Sequence, residues 1–189
     1  MKEYIKRNKL YLLFIAVLLI FGIVVGLYFG ISHIDSLKED VLYYTSHIQE
    51  RSYNYLFFHF FVLVLGVILS FFGIGVPFLC ALLFYEGMSI GFLLAIFAIT
   101  YGFNGFLFAF IFLLITKLVY LVCFCFLFSK CVKIARKMIG KYLYKTDPSL
   151  LLVHLLKGVS VFILFVMIYD VLLWWIGKPV ITWFQFLLQ

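Results

Sequence analysis

Three ionisable side chains, Glu86, Lys117 and Asp170, interrupt long apolar runs. A charge at bilayer depth is unfavourable by about 3 kcal/mol on insertion scales, so such residues turn toward the protein interior and find partners. The turn near residue 102 makes a fold point, with Glu86 sixteen residues before it and Lys117 fifteen after. In an antiparallel helical hairpin the two stand at nearly the same depth. They are expected to pair, directly or through a polar neighbour such as Ser89 or Thr116. Such a pair can do two things. It can clamp one helix to the next, or it can relay a proton or ion. A relay wants several carboxylates or histidines in sequence, and His33, His47, His59 and His154 all fall in loops or at the edges of apolar runs. The clamp is therefore the favoured reading. Asp170 lies about two turns from the outer end of its run, where it can reach the interface or meet Lys178.

No catalytic constellation accompanies these charges. The chain has no HExxH, GxSxG, phosphate-binding loop or dinucleotide fingerprint. Ser70, Ser89 and Ser160 lack the deep histidine that intramembrane serine chemistry wants. No enzyme activity and no cofactor are expected. Cys123 and Cys125 are two apart and point to different sides of a helix, so the four cysteines, with Cys80 and Cys131, read as small apolar fillers and not as a metal site.

The elements that must position Glu86 and Lys117 follow from composition. Of 189 residues, 67% are hydrophobic and 12% charged, whereas a soluble domain has about half and about a quarter. The surplus apolar surface calls for lipid. A crossing helix needs about twenty residues, and five runs qualify: about 10–29, 57–73, 76–99, 104–129 and 150–176. The expected fold is all-α, one polytopic membrane domain with five transmembrane helices. The first run is too long for a cleavable signal core and lacks a cleavage site, so it reads as a retained anchor. Pro77 falls in a first turn, Pro148 behind a capping Asp147, and Pro179 just past a last turn, all positions proline tolerates.

Ten of the fifteen lysines and arginines sit in two clusters, Lys2, Lys6, Arg7 and Lys9, and Lys130, Lys133, Arg136, Lys137, Lys141 and Lys145. Positive charge collects on the cytoplasmic side, so both clusters belong inside. The N-terminus is then cytoplasmic, segment 30–56 outside, the turn at 73–76 inside, the turn at Tyr101 to Phe103 outside and the C-terminus outside. The net charge of +7 points to anionic lipid headgroups, and no basic-aromatic module for nucleic acid is present.

Outside the bilayer, Ile34, Leu37, Val41, Tyr44 and Ile48 recur every three or four residues, and Ser36 with Glu39 is a candidate capping box. They predict an outer amphipathic helix. It can lie on the outer leaflet or against the protein's own spans, which is favoured over a docking surface for an extracytoplasmic partner. The lysines of 130–145 predict an inner basic amphipathic helix along the inner surface. Gly22, Gly26 and Gly30 on the first span, and Gly87 and Gly91 on the third, let helix backbones come close. The third span's contact is expected within the chain. That of the first stays open between an intrachain contact and a homo-oligomer.

The stretch FFGIGVPFLCALLFYEGMSIGFLLAIFAITYGFNGFLFAF (residues 71–110) places a glycine-proline turn, an apolar run, Gly87 and Gly91, and a turn with Asn104 and Gly105 in one order. Together with the glycine-rich first span and Lys38-Glu39-Asp40 followed by tyrosines, it resembles the stage II sporulation protein M family. It departs from that family at Glu86, where many relatives have a polar or basic residue, and at Leu114-Ile115-Thr116-Lys117, where they carry a proline-containing polar motif. The resemblance implies a non-catalytic membrane scaffold that recruits or positions cell-wall hydrolases for engulfment during sporulation. The alternative is a small transporter or permease subunit that uses Glu86 and Lys117.

Overall fold

In the computed structural model, which describes residues 2–46, 56–144, 149–184 and 186, the chain forms five helices and, among those residues, no strand. They are α1 (Lys2–Ser32), α2 (Ile34–Ser46), α3 (Leu56–Ser70), α4 (Gly75–Tyr144) and α5 (Ser149–Phe184). Among the described residues three apolar stretches are long enough to cross a membrane: Leu10–Ser32, Gly75–Gly140 and Leu155–Leu173. The apolar part of α3, Phe60–Ser70, is shorter than that. At 1.5 Å per residue the 15 residues of α3 span about 22 Å, less than the ~30 Å of a hydrocarbon core.

Gly75–Gly140 holds 66 residues, about three times what one crossing needs. It is interrupted at Gly102, whose φ of 64° and ψ of −144° leave the helical region. Its two arms, 75–101 and 103–144, are two helices. That region of φ/ψ is close to forbidden for any side chain with a Cβ, so glycine at 102 is what lets the chain turn.

The chain divides into two compact units. One contains the start of α1, all of α3, both ends of α4 and α5 as far as Val171. Its interior is lined from the second arm of α4 by Tyr120, Phe124, Leu127, Phe128, Cys131 and Ile134, none more than 1% exposed. Spacings of three and four put them on one helical face. Tyr120, Phe124 and Phe128 stack along it with ring centroids 6.1 and 6.5 Å apart. Leu63, Val67, Leu79, Leu155, Val159 and Val166 complete this core.

At one end of this unit α3 closes with short-range bonds: the amides of Phe71, Phe72 and Gly73 donate to the carbonyls of Ile68, Leu69 and Ser70 at 3.0–3.3 Å. Gly73 then adopts φ 78°, the left-handed exit that caps many helices. The turn is Phe71 to Ile74, two residues earlier than the expected 73–76, because glycine at 73 takes the exit. A Cβ on Gly73 would stand 3.6 Å from Ile139 Cδ1. The Arg136 guanidinium donates to the Tyr11 hydroxyl at 3.0 Å. Residues 71–74, 136–139 and the start of α1 therefore share an end. The basic segment runs on as part of α4 with Cys131, Val132, Ile134 and Ala135 buried; one of its faces is taken by protein.

The second unit contains α1 from Ala16, α2, the middle of α4 from Leu83 to Val119, and the end of α5. A single turn residue, His33, separates α1 from α2. Two sequence expectations need correction. Ser36 lies inside α2, and its hydroxyl donates to the His33 carbonyl at 2.9 Å. It is therefore no N-cap, because the helix starts two residues earlier. Pro179 lies inside α5, which continues to Phe184; proline removes one backbone donor but does not stop a helix whose remaining bonds hold. The Asp147–Pro148 cap, His47 and Ile48 fall outside the described residues.

Candidate functional site

Glycine builds the scaffold of the site. In the second unit the stripe of α1 meets the stripe of α4. A methyl group on Gly22 would stand 2.5 Å from the Phe84 carbonyl oxygen, and one on Gly87 would stand 2.6 Å from that of Leu19. At Gly26 and Gly91 it would overlap the carbonyls of Met88 and Ile23, and at Gly30 it would stand 2.7 Å from Ala95 Cβ. Such approach gains dispersion and weak C–H contacts along the whole crossing. The α1 stripe, left open by the sequence, is thus occupied by the same chain.

The hairpin of α4 folds back on this platform. Gly102 makes the reversal, and the rings of Phe97 and Phe108 meet across it at 5.4 Å. Gly105 is buried where a Cβ would stand 2.7 Å from Tyr101 Cβ, while Asn104 is exposed. Asn104 and Gly105, the expected turn motif, therefore begin the second arm, and Gly105 serves close packing. The break falls at Gly102, within the expected turn at Tyr101 to Phe103 and ahead of the motif named for it. Its neighbours Gly105 and Asn104 are equally good turn formers, so composition does not separate them.

One consequence of this fold is direct contact between Lys117 Nζ and Glu86 Oε2. The Glu86 side chain is 4% exposed and that of Lys117 18%. Thr116 is not the bridge, since its hydroxyl donates to the Phe112 carbonyl of its own helix at 2.7 Å. Ser89 instead lines a small cavity with Phe29, Tyr85, Met88 and Phe92. A carboxylate and an ammonium in contact are neutral as a pair, which offsets part of the desolvation penalty each would carry alone. Chemically the arrangement is a polar lock between two arms.

Asp170 lies in the other unit and is also buried, at 5% exposed; the Lys178 side chain is outside the described residues. Lys157, omitted from the ionisable groups of the apolar runs, is exposed on α5. The four cysteines are free. Among the described residues no three His, Cys, Asp or Glu side chains come together as a metal site. Beside α2, a groove of about 540 Å³ is lined by Leu37, Asp40, Val41, Phe92, Leu93, Ile96 and Phe97. Ile34, Leu37 and Val41 are half-buried, while Ser36, Lys38, Glu39, Asp40 and Tyr43 are exposed. No family pattern, curated protein or solved structure matches the chain.

Proposed function

We propose that this chain is a multi-pass cell-membrane protein that crosses five times, N-terminus inside and C-terminus outside, and acts as a non-catalytic scaffold for extracytoplasmic peptidoglycan-remodelling enzymes. The resemblance to the stage II sporulation protein M family supplies the partner class and a setting in engulfment. The observation that carries the scaffold reading is the Glu86–Lys117 contact: the two charges of the candidate site are engaged with each other and hold a hairpin. A structural lock asks for that arrangement.

Several features support the topology. Splitting the long apolar stretch at Gly102 leaves two arms, 75–101 and 103–140, each long enough for one crossing, the second running on into the basic segment. The Tyr11–Arg136 bond and the Gly73–Ile139 contact gather at one end the segments that the positive-inside rule assigns to the cytoplasm. On the opposite side of the membrane, α2 would lie as an amphipathic helix with Ile34, Leu37 and Val41 inward. Its exposed Lys38, Glu39, Asp40 and Tyr43 would face partners.

The test is photo-crosslinking in cells from position 43, where the tyrosine is 65% exposed. Recovery of a cell-wall hydrolase supports the scaffold; recovery of no extracytoplasmic protein counts against it. The deep burial of Glu86, 3% exposed, also suits a second reading, a small transporter or permease subunit with the pair as relay, since ionisable groups at membrane depth often mark transport paths. The variant Glu86→Leu/Lys117→Met separates the two: a relay loses transport while assembly survives.

A further inference from the structure

From residue 118 to 146 the chain has six lysines and arginines and no acidic residue. One of them has a side-chain partner on α1. Arg136 Nη1 donates to the Tyr11 hydroxyl at 3.0 Å, at an exposed position. A guanidinium carries five N–H donors in a rigid fork, so four remain after this bond. Because the phenol oxygen accepts from Arg136, its own hydrogen is left to donate elsewhere. Arginine and phenol together present a cluster of donors, those of the guanidinium in one plane. Around them, Lys133 and Lys137 are half-buried on the same stretch of α4. Lys130 reaches along α5, its Nζ 3.4 Å from where a Cβ on Gly158 would stand.

We propose that the Tyr11–Arg136 bridge is the anchor of a binding site for the phosphodiester headgroup of an anionic phospholipid. Diffuse attraction between basic segments and acidic lipid needs only charge. A site needs geometry, and the fork of an arginine oriented by a phenol supplies it: two parallel N–H bonds to the pair of non-bridging phosphate oxygens, with the tyrosine hydroxyl donating to one of the same oxygens. The lysines nearby add charge without direction. Placement in the inner leaflet rests on the topology proposed above, but retention of lipid does not depend on which leaflet it comes from.

The experiment uses the full chain extracted in detergent from vesicles of mixed phosphatidylglycerol and phosphatidylcholine, with retained lipid measured by native mass spectrometry. Phosphatidylglycerol is expected to be retained preferentially. Two variants that preserve the net charge, Arg136→Lys and Tyr11→Phe, are each expected to lower that preference about threefold or more. Lys38→Gln on α2 is expected to leave it unchanged. Inorganic phosphate at millimolar concentration is expected not to displace the lipid; displacement would mean a free-anion site and overturn the lipid assignment. If both charge-preserving variants retain phosphatidylglycerol as the wild type does, recognition is by charge alone and the site does not exist. If topology mapping fails while those variants still lose lipid, the site stands and only its leaflet is wrong.

Discussion

Glu86 and Lys117, thirty-one positions apart, meet as an ion pair across the hairpin of α4, with only 4% of the glutamate side chain exposed. Removing one partner leaves the other charge buried without its counter-ion. Glu86→Leu or Lys117→Met alone should therefore destabilise the fold by about 3–5 kcal/mol. The double variant should cost clearly less than either single change. Unfolding in detergent micelles, followed as a double-mutant cycle, reads the difference. Additive losses would mean that the pair is not coupled.

Gly102 predicts a backbone effect separable from packing. Nothing lies within 4 Å of a Cβ built there, so a substitution meets no neighbour, yet its φ/ψ is strained for any other residue. Gly102→Ala should cost about 1–3 kcal/mol. Gly102→Asn should do no better, because asparagine favours a left-handed region with positive ψ, not −144°. Thermal unfolding of both variants checks this; rescue by asparagine would show that the hairpin turns elsewhere.

The glycine crossing gives a contrast between positions. Gly26→Val should abolish assembly of the helix pair, since its Cβ would overlap the Met88 carbonyl and a backbone atom cannot step aside. At Gly140, also helical, there is open space, and Gly140→Ala should be neutral or stabilising by up to about 1 kcal/mol. Gel-filtration profiles and melting temperatures of the two proteins report the split.

Much of this arrangement is legible in the sequence, and the reasons differ by residue. Equal distances from residue 102 are enough to bring Glu86 and Lys117 together, because a helix advances a constant 1.5 Å per residue and a hairpin mirrors depth about its turn. The glycine stripes announce close contact through their four-residue spacing. Their choice of each other is a tertiary matter that spacing does not encode. Local signals fared worst at element ends. Ser36 reads as a cap and Pro179 as a stop, but α2 already begins at Ile34 and the apolar α5 runs on to Phe184. The end of α3 and the turn to Ile74 likewise depend on Gly73 taking positive φ, which Gly75, two residues on, could have done equally well.

The central claim is that both cationic segments face the cell interior while α2 faces out. In a cysteine-free background, Lys38→Cys and Lys137→Cys can be probed in intact cells with a membrane-impermeant thiol reagent. The expected result is labelling at position 38 without further treatment and at 137 only after permeabilisation. Labelling of both positions from the same side would contradict the five-crossing topology and the scaffold role built on it.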